Sequence, residues 1–332
     1  MKVLVTGGGG FLGSAIIRRL HSRGDQIVSL SRCRYVALDS LGVKQVTGDI
    51  ALEDHVSNAA QGVDAVIHVA AKAGIWGDYA GYYSANVTGT ANVINSCRRQ
   101  GINRLVYTSS PSVIFDNTDI EGGDESLPYP DRYHAPYPET KAVAEKMVLA
   151  AASEHLGTVA LRPHLIWGPG DNHLVPRIVA KGAAGQLRRI SGRECLIDTV
   201  YIDNAATAHI NALDRLSPSS PISGRAYFIT NGEPLPVWEM VDRILAAAGI
   251  APATGSIHPN LAVLMGICCE TIWRLFSLRG EPPMTRFAAH ELSRSHWFKI
   301  DAARNDLGYC PEISIDDGME RLRKWFEAGA CR

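Results

Sequence analysis

A phenol and an ammonium stand four positions apart in Tyr137-Pro138-Glu139-Thr140-Lys141. On a helix that spacing puts both side chains on one face, about 5 to 6 Å apart at Cβ. A phenol ordinarily ionises near pH 10, so its use as an acid or base at neutrality asks for roughly 3 pH units of help, about 4 kcal/mol. Lys141 can supply that, and the pair suits proton transfer to or from a substrate oxygen. Pro138 is tolerated in the first turn of a helix, where its missing N–H has no intrahelical partner. The helix is therefore expected to open at Tyr137 and run to about Glu154. Thr108-Ser109-Ser110 closes the apolar run Leu105 to Thr108. Ser110 is assigned as the hydroxyl that orients a carbonyl, and Ser109 as the plainer one that caps the strand end. Asn86 opens the helical pattern Val87 to Arg99, either as an N-cap or as the holder of a water linking Lys141 to solvent.

The second chemical feature is Thr6-Gly7-Gly8-Gly9-Gly10-Phe11-Leu12-Gly13, set between the β-prone Lys2 to Val5 and the amphipathic Phe11 to Arg23. Gly7, Gly10 and Gly13 repeat every third position. Glycine allows a tight turn and close approach of backbone to a pyrophosphate, and the unpaired N–H groups at the start of the helix receive its charge. Phe11 and Leu12 open that helix, and Phe11 suits core packing as well as cofactor cover. The second strand, Gln26 to Leu30, leads into Ser31-Arg32-Cys33-Arg34. No acid stands there to accept the ribose hydroxyls of NAD. Ser31 and Arg32 suit a 2′-phosphate instead, so NADP (NADPH) is the expected cofactor. Asp49 and Ile50, ending the next strand, are placed to meet the adenine. His68, inside an apolar strand, reads as a hydrogen-bonded core histidine, and no metal site is expected.

Strand and helix patterns alternate from Lys2 to Arg162, which specifies an α/β fold, a doubly wound parallel sheet of Rossmann type covered on both faces. Residues 1–165 form the dinucleotide-binding part, with returning elements near 197–230; residues 166–332 form a smaller, interleaved C-terminal substrate-binding region. Thr199 to Ile202, the helix Ala205 to Leu216 and the strand Ala226 to Ile229 are expected to rejoin the first sheet. Among 332 residues, 33 Lys and Arg balance 34 Asp and Glu. That leaves no basic tract for nucleic acid. The first strand begins at Lys2 and leads directly into the glycine loop, so no leader segment is expected ahead of the fold, and the expected location is cytoplasmic. Seven cysteines, at 33, 97, 195, 268, 269, 310 and 331, lack paired metal spacing and suit reduced thiols; Cys268 and Cys269 are expected to be buried. Leu261 to Leu278 is largely apolar but interrupted by Glu270 and Arg274. A membrane span needs about 20 apolar residues, so this stretch is expected to be a buried helix, an interfacial helix with peripheral membrane contact, or a lid.

Taken together, Thr6 to Gly13, Asp49, His68-Val69-Ala70-Ala71, Asn86, Thr108 to Ser110, Tyr137 to Lys141 and Leu161-Arg162-Pro163 resemble the extended short-chain dehydrogenase/reductases, in their 3β-hydroxysteroid dehydrogenase-like branch. Three longer segments resemble more narrowly the bacterial 2-alkyl-3-oxoalkanoate reductases of long-chain olefin biosynthesis: Ala70-Ala71-Lys72-Ala73-Gly74-Ile75-Trp76-Gly77, Leu161 through Trp167 to His173, and Asn231 to Pro236. That resemblance implies NADPH-dependent reduction of the 3-keto group of a long-chain 2-alkyl-3-keto acid. It also implies a homodimer, and association with the thiolase-like, β-lactone synthetase and β-lactone decarboxylase enzymes of the pathway. It assigns catalysis to Ser110, Tyr137 and Lys141, and cofactor contacts to Ala70, Ala71, Lys72, Pro163, Leu165 and Ile166. Lys72, His173 and Arg177 are candidates to meet the substrate carboxylate. Rival readings are an NAD-dependent 3β-hydroxysteroid or 4-carboxysterol dehydrogenase, a nucleotide-sugar epimerase, and a non-enzymatic NADP-sensing regulator, which would not need the Tyr137 and Lys141 pair.

Overall fold

In a computed structural model, which describes residues 1–190 and 192–329, the runs of Val, Leu and Ile near the start of the chain become strands of one seven-stranded sheet. From one edge to the other its strands are Arg225–Ile229, Gly157–Pro163, Arg104–Thr108, Ala65–His68, Lys2–Thr6, Gln26–Ser31 and Lys44–Thr47, and every pairing is parallel. Their apolar continuity follows from burial on both faces: Val3, Leu4 and Val5 are fully buried. Phe11–Ser22 and Ile202–Arg215 cover one face. Glu53–Ala59, Gly89–Gln100 and Pro136–Ala150 cover the other.

Strand order reverses at Lys2–Thr6. The chain first builds outward through Gln26–Ser31 and Lys44–Thr47, then crosses to Ala65–His68 and builds outward the other way. Such a reversal opens a crevice at the carboxyl ends of the two strands. The glycine loop leaves one side of it and Val69-Ala70-Ala71 leaves the other.

A smaller region stands over the crevice. Its main sheet is mixed, in the order Leu235–Pro236, Leu196–Ile197, His296–Phe298, Ile120–Gly123. The last of these strands comes from the first half of the chain. Arg225–Ile229 and the helix Ile202–Arg215 return to the large sheet, but the strand before that helix does not. Val200–Tyr201 pairs with Ile166–Trp167, because Leu165, with φ of +44°, turns the chain off the sheet directly after Pro163. Trp167 then donates from Nε1 to Thr199 Oγ1 at 3.0 Å, locking the pair.

The apolar stretch forms the helix Pro259–Leu275. Gly266 lets it lie against the backbone of Thr285 and Arg286, where a Cβ would come within 2.7 Å of the Arg286 nitrogen, and Glu270 pairs with Arg286 at 2.8 Å. Leu261, Leu264, Ile267, Ile272 and Leu275 are exposed on its outer side. Cys268 is exposed and Cys269 half-buried, not buried as expected, since the covered side of the helix is occupied by Ala262, Gly266 and Glu270. Cys331 lies outside the described residues. Among the described residues, no helix is long and apolar enough to cross a membrane.

Candidate active site

The glycine loop is shaped by contacts that leave no room for side chains. Gly7 adopts φ of +70°, and a Cβ there would meet the Ala70 backbone at 3.0 Å; one on Gly13 would fall 2.2 Å from the Gly7 carbonyl oxygen. Gly10 N–H donates to that same oxygen at 2.9 Å. The helix Phe11–Ser22 has no side-chain cap and no acid in its first turn, so its positive end remains available to an anion. Leu12 is buried, and Phe11 is half-buried against the core. The loop therefore fits a dinucleotide pyrophosphate.

Beside it, Ser31 Oγ lies 3.4 Å from the Gly9 N–H. Arg34 is held by Asp39 at 2.9 and 3.1 Å. Arg32 is exposed and makes no ion pair among the described residues. The Tyr35 ring lies across the loop, where it would meet a Cβ on Gly9; the sequence reading passed over this aromatic. Asp49 is exposed and makes no ion pair among the described residues, and its carboxylate accepts from Ala51 N–H. Ile50 is buried, and Gly89 packs directly on its side chain.

Across the crevice, Ala70 N–H donates to Thr6 Oγ1 at 3.1 Å. Asn86 is not an N-cap. It sits in a wide π-turn, Ser84–Thr88, within a helical run from Tyr79 to Gln100, because Thr90 Oγ1 takes up its carbonyl at 2.6 Å. Its amide clamps the Lys72 backbone, accepting at 2.7 Å and donating at 3.1 Å, and donates to Thr140 at 3.0 Å. The loop of Ala70 to Lys72 is thereby fastened to the helix that carries Tyr137. His68 is held at both ring nitrogens, by Thr6 at 2.7 Å and Thr90 at 3.0 Å, and burial lowers it to about 3. It is a neutral core histidine.

Tyr137 and Lys141 lie on the helix Pro136–Ala150, which opens with Pro136 one residue earlier than expected and ends at Ala150. Lys141 is buried; its ammonium donates to the Thr108 carbonyl at 2.5 Å and rests 4.1 Å from the Tyr107 ring centre. Burial, only partly offset by Glu145, lowers Lys141 to about 7. Loss of solvation raises the Tyr137 phenol above its ordinary value, and a hydrogen bond with Ser110 draws it back down. Ser110 also caps the turn Pro111–Ile114, accepting from Ser112 N–H at 3.2 Å. The capping part expected of Ser109 thus falls to Ser110, because the turn begins one residue later; the buried Ser109 hydroxyl has no partner among the described residues.

Pro163 ends its strand, and Leu165 and Ile166 follow at the crevice rim. The expected carboxylate partners do not converge. Arg177 pairs with Glu281, Lys72 lies over the Tyr82 ring at 4.6 Å with Asp78 at 3.4 Å, and His173 is exposed. The sequence reading missed Tyr82, whose ring is 6.4 Å from that of Tyr137, and a hydrogen-bonded group that starts directly after Pro163, in which His164 meets Asp198 at 2.6 Å and His296 at 3.1 Å. His164 stands directly after Pro163, but nothing in its spacing joins it to residues more than a hundred positions on.

The chain matches the model of the 3-beta hydroxysteroid dehydrogenase/isomerase family over residues 4–258. It belongs to that family. Within it, the chain is 50% identical over 325 residues to the 2-alkyl-3-oxoalkanoate reductase of Stenotrophomonas maltophilia (strain K279a), covering 97% of this chain and 98% of the relative. It is 48% identical to the protein of the same name from Shewanella oneidensis, covering 96% and 84%. The human sterol-4-alpha-carboxylate 3-dehydrogenase, decarboxylating, is 32% identical over 98% of this chain and 88% of its own. Among solved structures, gox2253 aligns with a TM-score of 0.79 at 26% identity over 98% of both chains. The NAD complex of the Thermus thermophilus UDP-glucose 4-epimerase aligns at 0.76 over 98% and 99%; at 24% identity it bears on the fold alone. This member of the 3-beta hydroxysteroid dehydrogenase/isomerase family is an NAD(P)-dependent oxidoreductase of the extended short-chain dehydrogenase/reductase type.

Proposed function

We propose that the protein is a 2-alkyl-3-oxoalkanoate reductase, using NADPH to reduce the 3-keto group of long-chain 2-alkyl-3-keto acids, reversibly, in the making of long-chain olefins. The observation that carries this substrate class is the 50% identity, end to end, with a reductase of that name. A bound NADPH supplies the hydride that reaches the ketone carbon. Ser110 and the Tyr137 phenol, close enough for Ser110 to hold the phenol's pKa down, together receive the ketone oxygen, and Tyr137 gives it a proton. Lys141, desolvated and in no ion pair among the described residues, gains most from a ribose and its phosphates, and its charge then favours the Tyr137 phenolate left behind. Asn86 fixes the strand-end loop against this helix so that the cofactor side and the Tyr137 side stay in register.

NADP is favoured over NAD by Arg32, which is unpaired among the described residues while Arg34 is engaged with Asp39. The apolar helix Pro259–Leu275 serves as a lid for the alkyl chains. Its support is position: Arg274 lies 5.3 Å from the Trp76 ring centre, Glu281 pairs with Arg177, and Lys181 Nζ donates to the Pro283 carbonyl at 3.1 Å. These contacts tie the helix and its following loop to the mouth beside Tyr82. The reading extends to a homodimer and to the thiolase-like, β-lactone synthetase and β-lactone decarboxylase partners.

The second reading is a 4-carboxysterol dehydrogenase, favoured by the 32% identity with the human enzyme. Steady-state rates with NADP and NAD on racemic 2-alkyl-3-hydroxy acids and on 4-carboxysterols decide between them. Turnover of sterols with NAD, and none of the hydroxy acids, would overturn the first reading. A Tyr137→Phe variant with undiminished turnover would refute the mechanism.

A further inference from the structure

Of the fourteen large apolar and aromatic residues that are exposed among the described residues, eight fall between Leu261 and Leu278. In the helix Pro259–Leu275, Leu261, Leu264, Met265, Cys268, Ile272 and Leu275 recur at helical spacing, so they share its outer side. Leu275 is 74% exposed and Phe276, next along, is 66% exposed. Thr271, the one hydroxyl on that side, is turned back to donate to the Ile267 carbonyl at 2.7 Å. The stripe therefore presents little but carbon and sulfur.

The opposite side of the helix already holds it to the body. Gly266 lies on the backbone of Thr285 and Arg286, and Glu270 accepts from both the backbone N–H and Nε of Arg286 at 2.8 Å. The outer stripe is not needed for that attachment. A continuous exposed apolar surface of this kind marks a place where a partner or a membrane sits.

Charge decides between those occupants. Residues 259–280 contain a single acid, Glu270, which is buried and paired. Arg274 and Arg279 are exposed and in no ion pair among the described residues, and the next acid along the chain, Glu281, is taken by Arg177. A second copy of the chain, meeting this face about a two-fold axis, would set the two arginines against an identical patch with no free acid. A bilayer with anionic headgroups supplies what both features lack: an acyl boundary for the stripe and phosphates for the arginines.

We propose that the outer side of Pro259–Leu275, with Phe276, Leu278, Arg274 and Arg279, docks on the surface of an anionic phospholipid bilayer. The helix lies on the membrane; among the described residues no helix is long and apolar enough to cross it. Arg274 rests 5.3 Å from the Trp76 ring centre, and the Trp76 carbonyl accepts from the Tyr82 hydroxyl at 3.1 Å, beside Tyr137. Docking on this side thus holds the mouth of the cleft at the lipid surface. It does not depend on which ketone the enzyme reduces.

Flotation of the full chain, without substrate, on vesicles of pure phosphatidylcholine and on vesicles with about one-third phosphatidylglycerol tests the docking. The wild type should bind the anionic vesicles at least about tenfold more tightly than the neutral ones, and raising salt to about 1 M should remove most of that difference. A chain carrying both Leu264→Asp and Leu275→Asp should bind at least about tenfold more weakly, with Leu52→Asp, an exposed apolar residue elsewhere, as the control that binds like wild type. Circular dichroism melting shows whether the variants are folded. The pair Arg274→Gln and Arg279→Gln, which leaves the stripe intact, should lose about tenfold or more on anionic vesicles alone. A wild type that does not float with anionic vesicles, or folded aspartate variants that float equally well, would overturn the proposal. Sedimentation without lipid supplies the remaining outcome: self-association that the aspartate pair abolishes, with no capture by vesicles, gives the face to a second copy and overturns the membrane.

Discussion

Lys141→Met should make the cofactor-free protein more stable at neutral pH while abolishing its activity. The Lys141 ammonium is 2% exposed and its pKa is lowered from the ordinary 10.5 to about 7. Below pH 7 the amine is charged in both the folded and the unfolded chain, and the folded state bears the full cost of burying it. Between pH 7 and 10.5 unfolding takes up a proton, so this cost shrinks by about 1.4 kcal/mol per pH unit and is gone near 10.5. At pH 7 it amounts to between about 4 and 5 kcal/mol. Methionine fills the same volume but leaves the Thr108 carbonyl without its donor, a loss of about 1 kcal/mol. The net expectation is a stabilisation of about 3 to 4 kcal/mol at pH 7 that shrinks to about 1 kcal/mol at pH 9 and vanishes near pH 10. Urea unfolding of wild type and variant at pH 7, 8 and 9, without cofactor, measures it. A variant no more stable than wild type at pH 7, or a difference that does not change with pH, would refute the reasoning.

Arg32→Ala should lower the NADPH-to-NADH ratio of kcat/KM by about tenfold or more, whereas Arg34→Ala, which removes a residue already paired with Asp39, should leave that ratio near its wild-type value. Ser110→Ala should reduce kcat by roughly 10²-fold. Because Ser110 holds the Tyr137 phenol down, the same change should move the basic midpoint of alcohol oxidation to higher pH. Gly13→Ala forces a Cβ against the Gly7 carbonyl and should abolish cofactor binding in fluorescence titration before it abolishes folding by circular dichroism. Charged substitutions at Leu264 and Ile272 should depress turnover of long-chain substrates more than short-chain ones; equal losses would rule out the lid.

The parts of the site that lie close in sequence were legible from the residue types alone. Gly7 to Gly13 and Tyr137 to Lys141 each carry their chemistry within one local element, where spacing dictates geometry. Asn86 was misplaced because its helix does not start there: the π-turn at Ser84–Thr88 continues an earlier helix, and no local signal marks a π-turn. Val200–Tyr201 went to a different sheet because of the left-handed backbone at Leu165, a residue type that does not advertise that conformation. The hydrogen-bonded group of His164, Asp198 and His296 was invisible for another reason. Its members are brought together by the pairing of Ile120–Gly123, His296–Phe298 and Leu196–Ile197, a tertiary event with no periodic signature.

That pairing also bears on how the chain is made. Ile120–Gly123 leaves the ribosome early, between two strands of the large sheet, yet its neighbour His296–Phe298 follows more than 170 residues later. Until then that edge stands unpaired, and His164 lacks its partner His296. The nascent protein can assemble a dinucleotide cradle long before it can finish its smaller sheet, and during that interval the open edge is a template for pairing with other chains. Synthesis rate and chaperone attention should therefore matter most in the last tenth of translation, when one short strand closes the molecule.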